Sequence, residues 1–237
     1  MKNIALIIAG GSGARMHQDL PKQFLNVYDK PVIIYTLEAF QRHPNIDGIV
    51  VVCINGWETI LSAYCKQFNI TKLESIVPGG INGQDSIRNG VYDIAKRHSD
   101  EDIILIHDAI RPMVSEEVIS DCIRVAITYG NSFAVVPCTA AMLKTDDGIS
   151  STEQISRDNL KITQTPQCAS VGTLVAAHKE ALEKGITNSV ATCTMFIELG
   201  KKLYFSAGSE KNLKLTTTED LEIFKALLDA KASEWLK

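Results

Sequence analysis

The chain has 237 residues, a formal net charge of −4 and 45% hydrophobic residues. This length fits one α/β domain, with or without a small appendage, and it is enough to bury a large core. The negative charge argues against an extended nucleic-acid interface. It does not argue against a small anionic ligand, because such a site needs only a few local cations and oriented backbone N–H groups.

The N-terminus and the cysteines indicate the cellular compartment. Ile4–Ala9 is an apolar run too short to span a membrane, and a glycine loop follows it where a secretory signal would have a cleavage site. The six cysteines include no C-x-x-C pair, and most lie in apolar stretches typical of small core residues. We therefore expect a cytoplasmic protein with reduced thiols and no membrane partner.

Short apolar runs alternate with amphipathic segments over the first half of the chain. The expected strands are Ile4–Ala9, Gly48–Ile54, Ile103–His107 and Phe133–Pro137. The expected helices are Pro31–Arg42, Trp57–Phe68, Asp85–Lys96 and Ser115–Tyr129. Ser115 should cap the last of these helices, and Gly130 should end it. The alternation predicts an α/β fold with a mostly parallel sheet and helices on both faces.

Residues 138–160 interrupt this alternation. The segment is polar, and Asp146-Asp147-Gly148 separates two alternating stretches, which predicts a hairpin. We interpret 138–160 as a protruding β-arm within one domain that spans 1–237. The elements expected after the arm are a helix at Leu174–Lys184, a strand at Lys201–Ser206 and a helix from Glu219 to about Leu236. Thr216 and Glu219 have the spacing of a capping box at the start of that last helix.

A glycine-rich loop follows the first strand, at the sheet edge where α/β folds bind ligands. It reads Ala9-Gly10-Gly11-Ser12-Gly13-Ala14-Arg15-Met16. Its backbone N–H groups can approach phosphate oxygens, and Arg15 and Lys22 add two cations. A Walker loop is absent, and a dinucleotide fingerprint would need a third glycine where Met16 stands. A phosphate loop and a tight turn without a ligand both remain open.

Asp108 comes directly after an apolar strand and should project from the same edge. One carboxylate together with phosphate oxygens is a common way to hold Mg²⁺. The alternatives are a cap for the following turn or an ion pair with Arg111. His107 precedes it on the opposite face of the strand, so we expect His107 to be structural and hydrogen-bonded to backbone.

Five motifs in order carry a resemblance to a known family. They are the glycine loop with Pro21-Lys22-Gln23-Phe24, Gly79-Gly80 with Asp85-Ser86-Ile87-Arg88-Asn89-Gly90, His107-Asp108-Ala109-Ile110-Arg111-Pro112, Gln164-Thr165-Pro166-Gln167, and Asn212-Leu213-Lys214-Leu215-Thr216-Thr217 with Glu219-Asp220-Leu221. The chain resembles the methylerythritol-phosphate and ribitol-phosphate cytidylyltransferases over nearly its whole length. The resemblance implies a Rossmann-like fold of the nucleotide-diphospho-sugar transferase type.

The resemblance also implies a reaction and roles for residues. The reaction is transfer of CMP from CTP to ribitol 5-phosphate or 2-C-methyl-D-erythritol 4-phosphate, with Mg²⁺ as cofactor. The implied catalytic residues are Arg15, Lys22 and Lys214. The implied nucleotide-binding residues are Ala9, Gly10, Gly11, Gly13, Gly80, Asp85, Ser86, Asp108 and Ala109, of which Asp108 also binds the metal. The implied acceptor-binding residues are Thr139, Arg157 and Arg111. The arm at 138–160 implies a homodimer, in which Arg157 can come from the partner.

Three departures from the family pattern lie on the acceptor or base side. Ala140-Ala141 stand where the family has Asp-Thr, Thr187-Asn188 stand in place of a Thr-Asp pair, and Gly83-Gln84 occupy the region of an arginine. The nucleotidyl-transfer residues are intact, so the acceptor and its pathway, isoprenoid or cell-surface polysaccharide, remain open. The alternatives are another sugar or polyol phosphate, a catalytically silent CTP-binding protein, and an NAD-dependent dehydrogenase.

Overall fold

The protein is described by a computed structural model over residues 1–11 and 20–234. The strands are β1 Asn3–Ala9, β2 Asn26–Val27, β3 Lys30–Pro31, β4 Gly48–Cys53, β5 Leu73–Pro78, β6 Ile103–Asp108, β7 Asn131–Pro137, β8 Met142–Lys144, β9 Glu153–Ile155, β10 Lys161–Ser170 and β11 Phe205–Ala207. The α-helices are α1 Val32–Arg42, α2 Glu58–Gln67, α3 Gly83–Ala95, α4 Glu116–Tyr129, α5 Val171–Glu183, α6 Thr192–Glu198 and α7 Thr218–Glu234.

One seven-stranded sheet forms the centre of the fold, in the order β11-β7-β10-β6-β1-β4-β5. Its neighbouring strands are parallel except where β10 pairs antiparallel with β6 and with β7. The chain builds from β1 through β4 to β5 and then crosses back to β6 on the other side of β1. The carboxyl ends of β1 and β6 therefore flank a crevice of the kind that holds ligands in open α/β sheets.

The central strand β1 is buried on both faces, as its continuous apolar sequence predicts. Ala5 and Ile7 belong to a core cluster with residues of α1, α2 and α4, whereas Ile4 and Leu6 belong to a second cluster with residues of α3, α5 and α6. The prediction of helices on both faces is confirmed. The approach of α3 is so close that a Cβ on Gly90 would lie 2.4 Å from the Leu6 side chain.

The predicted ends of the helices are partly confirmed. The Ser115 hydroxyl accepts a hydrogen bond from the Val118 amide at the start of α4, and Gly130 ends that helix with a φ of 90°. The capping box of the last helix is one residue later than predicted. Thr217 accepts from the Asp220 amide, and the Asp220 carboxylate accepts from the Thr217 amide at 2.8 Å. Residue 236, the predicted end of that helix, lies outside the described residues.

Several elements differ from the predictions. The strands β5 and β10 and the helix α6 lie in segments for which no element was predicted. The antiparallel strand β10 makes the sheet mixed, in agreement with the prediction of a mostly parallel sheet. The strand predicted at Lys201–Ser206 is wrong in its extent, since β11 covers only Phe205–Ala207. It pairs with β7 over three residues at the edge of the sheet, which explains its weak signal.

The arm predicted at 138–160 contains a hairpin. Strands β8 and β9 pair antiparallel from Met142 opposite Ile155 to Lys144 opposite Glu153. Gly148 in the connecting loop has a φ of 72°. The arm exposes 65% of Leu143 and 92% of Ile149, so its apolar side chains find no cover within the described part of the chain.

The cysteines form no disulfide. All six are buried and carry free thiols. Among the described residues, none of the helices combines the length and the hydropathy needed to cross a bilayer.

Two buried histidines make the stability of the fold depend on pH. His178 on α5 is 1% exposed, and neither ring nitrogen has a hydrogen-bond partner among the described residues. Burial lowers the pKa of His178 to about 4, and burial likewise lowers the pKa of His107 to about 4. Below pH ~6.5 each of these histidines therefore binds a proton in the unfolded chain but not in the folded chain. The free energy of unfolding falls as the pH drops from ~6.5 towards ~4.

We expect each of these histidines to cost about 2 kcal/mol of unfolding free energy at pH 5 relative to pH 7.5. Urea unfolding of wild type and His178→Leu at the two pH values checks this. The variant should lose less stability on acidification than wild type, by about one histidine's share. An equal loss in both proteins would contradict the prediction.

Candidate active site

A cleft of about 610 Å³ opens at the carboxyl ends of the central strands. The register that pairs Asp108 with Ile8 brings the end of β6 beside the start of the glycine loop. The loop after β5 is held at the end of β4, since the Gly79 amide donates to the Cys53 carbonyl at 2.8 Å. Predicted site residues that line the cleft are Ala9, Gly10, Gly11, Lys22, Gly80, Ser86, Asp108, Ala109, Arg111 and Lys214. Gly13 and Arg15 lie outside the described residues. The size is typical of a small-molecule site.

Asp108 lies between two cations. Its Oδ2 is 3.0 Å from Arg111 Nε, and the Lys214 ammonium is 3.2 Å from each carboxylate oxygen. Burial alone would raise the pKa of this carboxyl, but Lys214 and Arg111 outweigh burial and hold the pKa below its ordinary value. The carboxylate is therefore charged at neutral pH. The ion pair with Arg111 that was an alternative reading of Asp108 is present, inside the same cleft.

A chain of hydrogen bonds fixes the backbone that carries Asp108. The Thr165 hydroxyl accepts from the Asp108 amide at 3.1 Å and lies 3.0 Å from His107 Nδ1. His107 Nε2 lies 3.2 Å from the Arg111 carbonyl, which can only accept. This network assigns the proton to Nε2, so that Nδ1 accepts from Thr165. The predicted bond between His107 and backbone is confirmed, and His107 is also among the residues that line the cleft.

Gln23 holds the start of the glycine loop. Its buried side-chain amide donates to the Ala9 carbonyl at 2.8 Å and to the Gly11 carbonyl at 3.1 Å. Gln23 lies in a 3₁₀ turn over Lys22–Phe24. The ring of the following residue, Phe24, stacks on Trp57 with centroids 4.6 Å apart. The turn places Lys22 in the cleft beside the loop. Gln23 is part of a sequence motif, but the sequence alone did not predict this role.

The opposite wall is formed by the loop before α3. Ser86 Oγ accepts from the Gly80 amide at 3.0 Å and donates to the Asn82 carbonyl at 2.9 Å. The cap of α3 is Asn82, whose side chain accepts from the Asp85 amide at 2.9 Å. Ser86, one of the residues predicted to bind nucleotide, therefore holds this loop together from within. The Asp85 carboxylate is 2.8 Å from the Arg88 guanidinium and does not line the cleft.

Gly80 has no room for a side chain. A Cβ there would lie 2.4 Å from the Asp85 Cβ and 2.8 Å from the Ser86 amide nitrogen. We expect Gly80→Ala to displace the loop and destabilise the fold by about 1–3 kcal/mol. It should also raise the KM for the nucleotide that the sequence resemblance implies about tenfold. Thermal melting and steady-state kinetics check this. Gly83→Ala, where a Cβ meets nothing within 4 Å, is the control for the melting temperature. An unchanged melting temperature in Gly80→Ala would contradict the steric argument.

Lys214 enters the cleft from the C-terminal side of the fold. The segment around it is anchored by the Leu215 amide, which donates to the Ile110 carbonyl at 2.9 Å. Leu215 also packs in a third apolar cluster with Val27 of β2 and Phe224 of α7. The segments that carry Lys22 and Lys214 are thus joined by one small core. Lys22 and Lys214, which are far apart in sequence, lie in the same cleft.

The two acceptor-site residues predicted on the arm, Thr139 and Arg157, lie outside the cleft. Arg157 donates a hydrogen bond from Nη1 to the Thr139 carbonyl, and both residues are exposed at the base of the arm. Neither lines the cleft of its own chain. Their predicted contact with the acceptor therefore stays a prediction that needs a second chain.

The comparisons with known proteins identify the family. The family model described as 2-C-methyl-D-erythritol 4-phosphate cytidylyltransferase, IspD, matches residues 3–230. The chain belongs to the IspD family. It is therefore a nucleotidyltransferase of the cytidylyltransferase type, as the five sequence motifs predicted. The dehydrogenase alternative is set aside by this match.

Relatives in the IspD family carry two different names. A ribitol-5-phosphate cytidylyltransferase from Lacticaseibacillus paracasei is 43% identical over 229 residues, which cover 96% of this chain and 98% of that protein. A 2-C-methyl-D-erythritol 4-phosphate cytidylyltransferase from Clostridium botulinum is 37% identical over 230 residues, 96% of this chain and 98% of that one. A crystal structure of 4-diphosphocytidyl-2C-methyl-D-erythritol synthase superposes with a TM-score of 0.80 at 26% identity, covering 96% of this chain and 98% of that one.

Asp108 is the only carboxylate among the described residues that line the cleft of this IspD-family chain. No group of three or more His, Cys, Asp or Glu side chains that could hold an ion occurs within 1–11 and 20–234. Asp108 offers a single charged carboxylate beside two cations. This donor set does not suit a metal held by protein alone, but it suits Mg²⁺ that arrives with substrate phosphates and takes one protein ligand.

Proposed function

We propose that the protein transfers CMP from CTP to ribitol 5-phosphate, releasing pyrophosphate and forming a CDP-alcohol. The observation that supports this most is the cleft itself. It brings Lys22, Asp108 and Lys214 together at the ends of β1 and β6, beside a glycine loop suited to a triphosphate. Among the described residues, the site offers cations and backbone donors but no side chain positioned as a strong base, and this matches a reaction whose nucleophile is already an anion.

The chemistry requires two anions to meet. An oxygen of the acceptor phosphate attacks the α-phosphorus of CTP and forms a new P–O bond, while the bond from the α-phosphorus to the bridging oxygen of the β-phosphate breaks. The electron pair leaves with pyrophosphate. Positioning and charge neutralisation dominate such a step.

The lysines divide this task. Lys22, beside the glycine loop, neutralises the triphosphate and the departing pyrophosphate. Lys214 turns from Asp108 towards the α-phosphate when CTP binds. Its side chain is free to do so because it is 42% exposed and is held to Asp108 only through its ammonium group. Asp108 would hold a Mg²⁺ bound to substrate phosphates, and that ion would supply further neutralisation of the phosphate oxygens.

The acceptor is inferred from two features. The ribitol-5-phosphate relative is 43% identical and the methylerythritol relative 37% identical over nearly the same length. The acceptor side also departs from the family pattern, with Ala140-Ala141 at the start of the arm. Val190, Ala191 and Thr192 line the cleft close to the altered Thr187-Asn188 pair. Both features support a polyol other than methylerythritol.

We further propose that the working unit is a homodimer formed through the arm. Leu143 and Ile149 are exposed by 65% and 92%, and apolar side chains of this size on one hairpin favour cover by a second chain. Arg157 at the base of the arm would then reach the partner's cleft. Light scattering at working concentration should report a dimer, and Leu143→Ser with Ile149→Ser should shift it towards monomer. A wild-type monomer would refute the proposal.

A pyrophosphate-release screen tests the reaction. CTP, UTP, ATP and GTP are each crossed with ribitol 5-phosphate, 2-C-methyl-D-erythritol 4-phosphate, glycerol 3-phosphate and a sugar phosphate, with and without Mg²⁺. We expect release with CTP, ribitol 5-phosphate and Mg²⁺, at a kcat/KM at least about tenfold above that of every other acceptor, a discrimination of about 1.4 kcal/mol. A preference for methylerythritol phosphate would overturn the acceptor, and silence with all acceptors would overturn the activity.

A further inference from the structure

The segment that carries Lys214 is tied to the sheet by one buried amide. Asn212 is 0% exposed, two residues before Lys214. Its Nδ2 donates to the Thr165 carbonyl at 2.8 Å and to Gln164 Oε1 at 3.3 Å. Both partners are acceptors only at these atoms, so the orientation of the Asn212 amide is fixed by its contacts.

Gln164 closes the same tie from the side of β10. Its Nε2 donates to the Ser209 carbonyl at 2.9 Å, and its Oε1 accepts from the Ser209 amide at 3.2 Å. The register of β10 against β7 shifts between Thr163 and Gln167, and such an irregularity can redirect the side chains within it. Gln164 and Asn212 together fasten the backbone from Ser209 to Asn212 onto β10.

A further bond joins this tie to the charged centre. Arg111 Nη1 donates to the Asn212 carbonyl at 2.7 Å, while Nε of the same guanidinium contacts Asp108 at 3.0 Å. The Asn212 side chain thus holds the Lys214 segment on Thr165, and the Asn212 backbone holds it on Arg111. Thr165 and Arg111 are also the residues that support Asp108.

Stability alone does not favour an asparagine here. The Asn212 Oδ1 atom is buried and has no hydrogen-bond partner among the described residues. A buried acceptor left unpaired destabilises the folded state, and an apolar side chain of similar size would avoid that penalty. The Nδ2 bonds are what this amide provides that an apolar side chain cannot.

We propose that Asn212 is a positioning residue that sets Lys214 against the reacting phosphate, acting with Gln164. The inference rests on the proposed nucleotidyl transfer. Asn212 lies behind the catalytic lysine and is absent from the cleft lining. Its effect should therefore pass through Lys214, and this distinguishes positioning from a general contribution to folding.

A double-mutant cycle tests the proposal. Asn212→Ala should lower kcat about tenfold and leave the KM for CTP within about twofold, since the lost interaction acts in the transition state. In a Lys214→Ala background the same Asn212→Ala change should lower kcat less than about twofold, because the group that it positions is gone. Equal effects in both backgrounds would overturn the proposal.

Two further variants keep the test decisive. Gln164→Met breaks the hydrogen bonds from the β10 side and replaces Asn212→Ala if that variant fails to fold by circular dichroism. Its effect on kcat should likewise fall below about twofold in the Lys214→Ala background. Asn131→Ala is the matched control, since Asn131 likewise bridges strand and loop through the Lys202 carbonyl and the Tyr204 amide, at 3.0 and 3.1 Å. It should lower the melting temperature but leave kcat within about twofold. Inactive wild-type enzyme would instead refute the proposed function.

Discussion

Lys214→Ala should lower kcat about 10²–10³-fold without unfolding the protein, the loss typical of removing one group that stabilises transition-state charge. The side chain is 42% exposed, so its ion pair with Asp108 contributes little to stability. Steady-state pyrophosphate release and thermal melting check both parts. Lys22→Ala is expected to behave in the same way, because Lys22 lines the same cleft.

Lys211→Ala is the control for this prediction. Lys211 is an exposed lysine on the same segment that does not line the cleft, so its removal should change kcat by less than about twofold. Near-wild-type turnover in Lys214→Ala would remove Lys214 from the mechanism.

Asp108→Asn should also lower kcat/KM by at least about 10²-fold. The amide keeps the shape of the side chain but leaves the Arg111 guanidinium and the Lys214 ammonium without their shared counter-charge. It also removes the carboxylate proposed to hold Mg²⁺. Titration of CTP binding by calorimetry across Mg²⁺ concentrations should show that the gain from Mg²⁺ is reduced in the variant.

Asp93→Asn is the matched control for the carboxylate. Asp93 pairs with Arg97 at 2.8 Å and accepts from Ser75 at 2.7 Å, outside the cleft. Its variant should keep kcat/KM and the Mg²⁺ dependence of wild type. If Asp108→Asn kept them as well, the acid in the cleft would be structural.

The buried parallel core was predictable because continuous apolar runs have few other solutions. Ile4–Ala9 and Ile103–His107 lie where their sequences indicated, and Ser115 and Gly130 delimit α4 through local chemistry. The strand β10 was not predictable in this way. It contains Gln164-Thr165-Pro166-Gln167, a polar run with a proline, and it becomes a strand because β6 and β7 bond to it from both sides.

The site was predictable where a motif names a residue and unpredictable where the fold supplies the support. The resemblance placed Lys22, Asp108 and Lys214 in one site, and all three line one cleft. The roles of Gln23 and Asn212 depend on which carbonyls their amides reach, and those carbonyls are supplied by tertiary structure. Asp85 shows the converse, since it belongs to a motif but pairs with Arg88 and does not line the cleft.

The third apolar cluster has a consequence for how the protein fails. Phe224 of α7 packs with Leu215 and Val27, whereas the two large clusters on the sheet contain no described residue of α7. Removing the chain from Phe224 onward would therefore leave the sheet and its flanking helices largely folded. It would weaken the packing that supports the segments carrying Lys22 and Lys214. Such a preparation would look folded by circular dichroism and yet turn over poorly, so intactness of the C-terminal helix is a better guide to a competent sample than secondary-structure content.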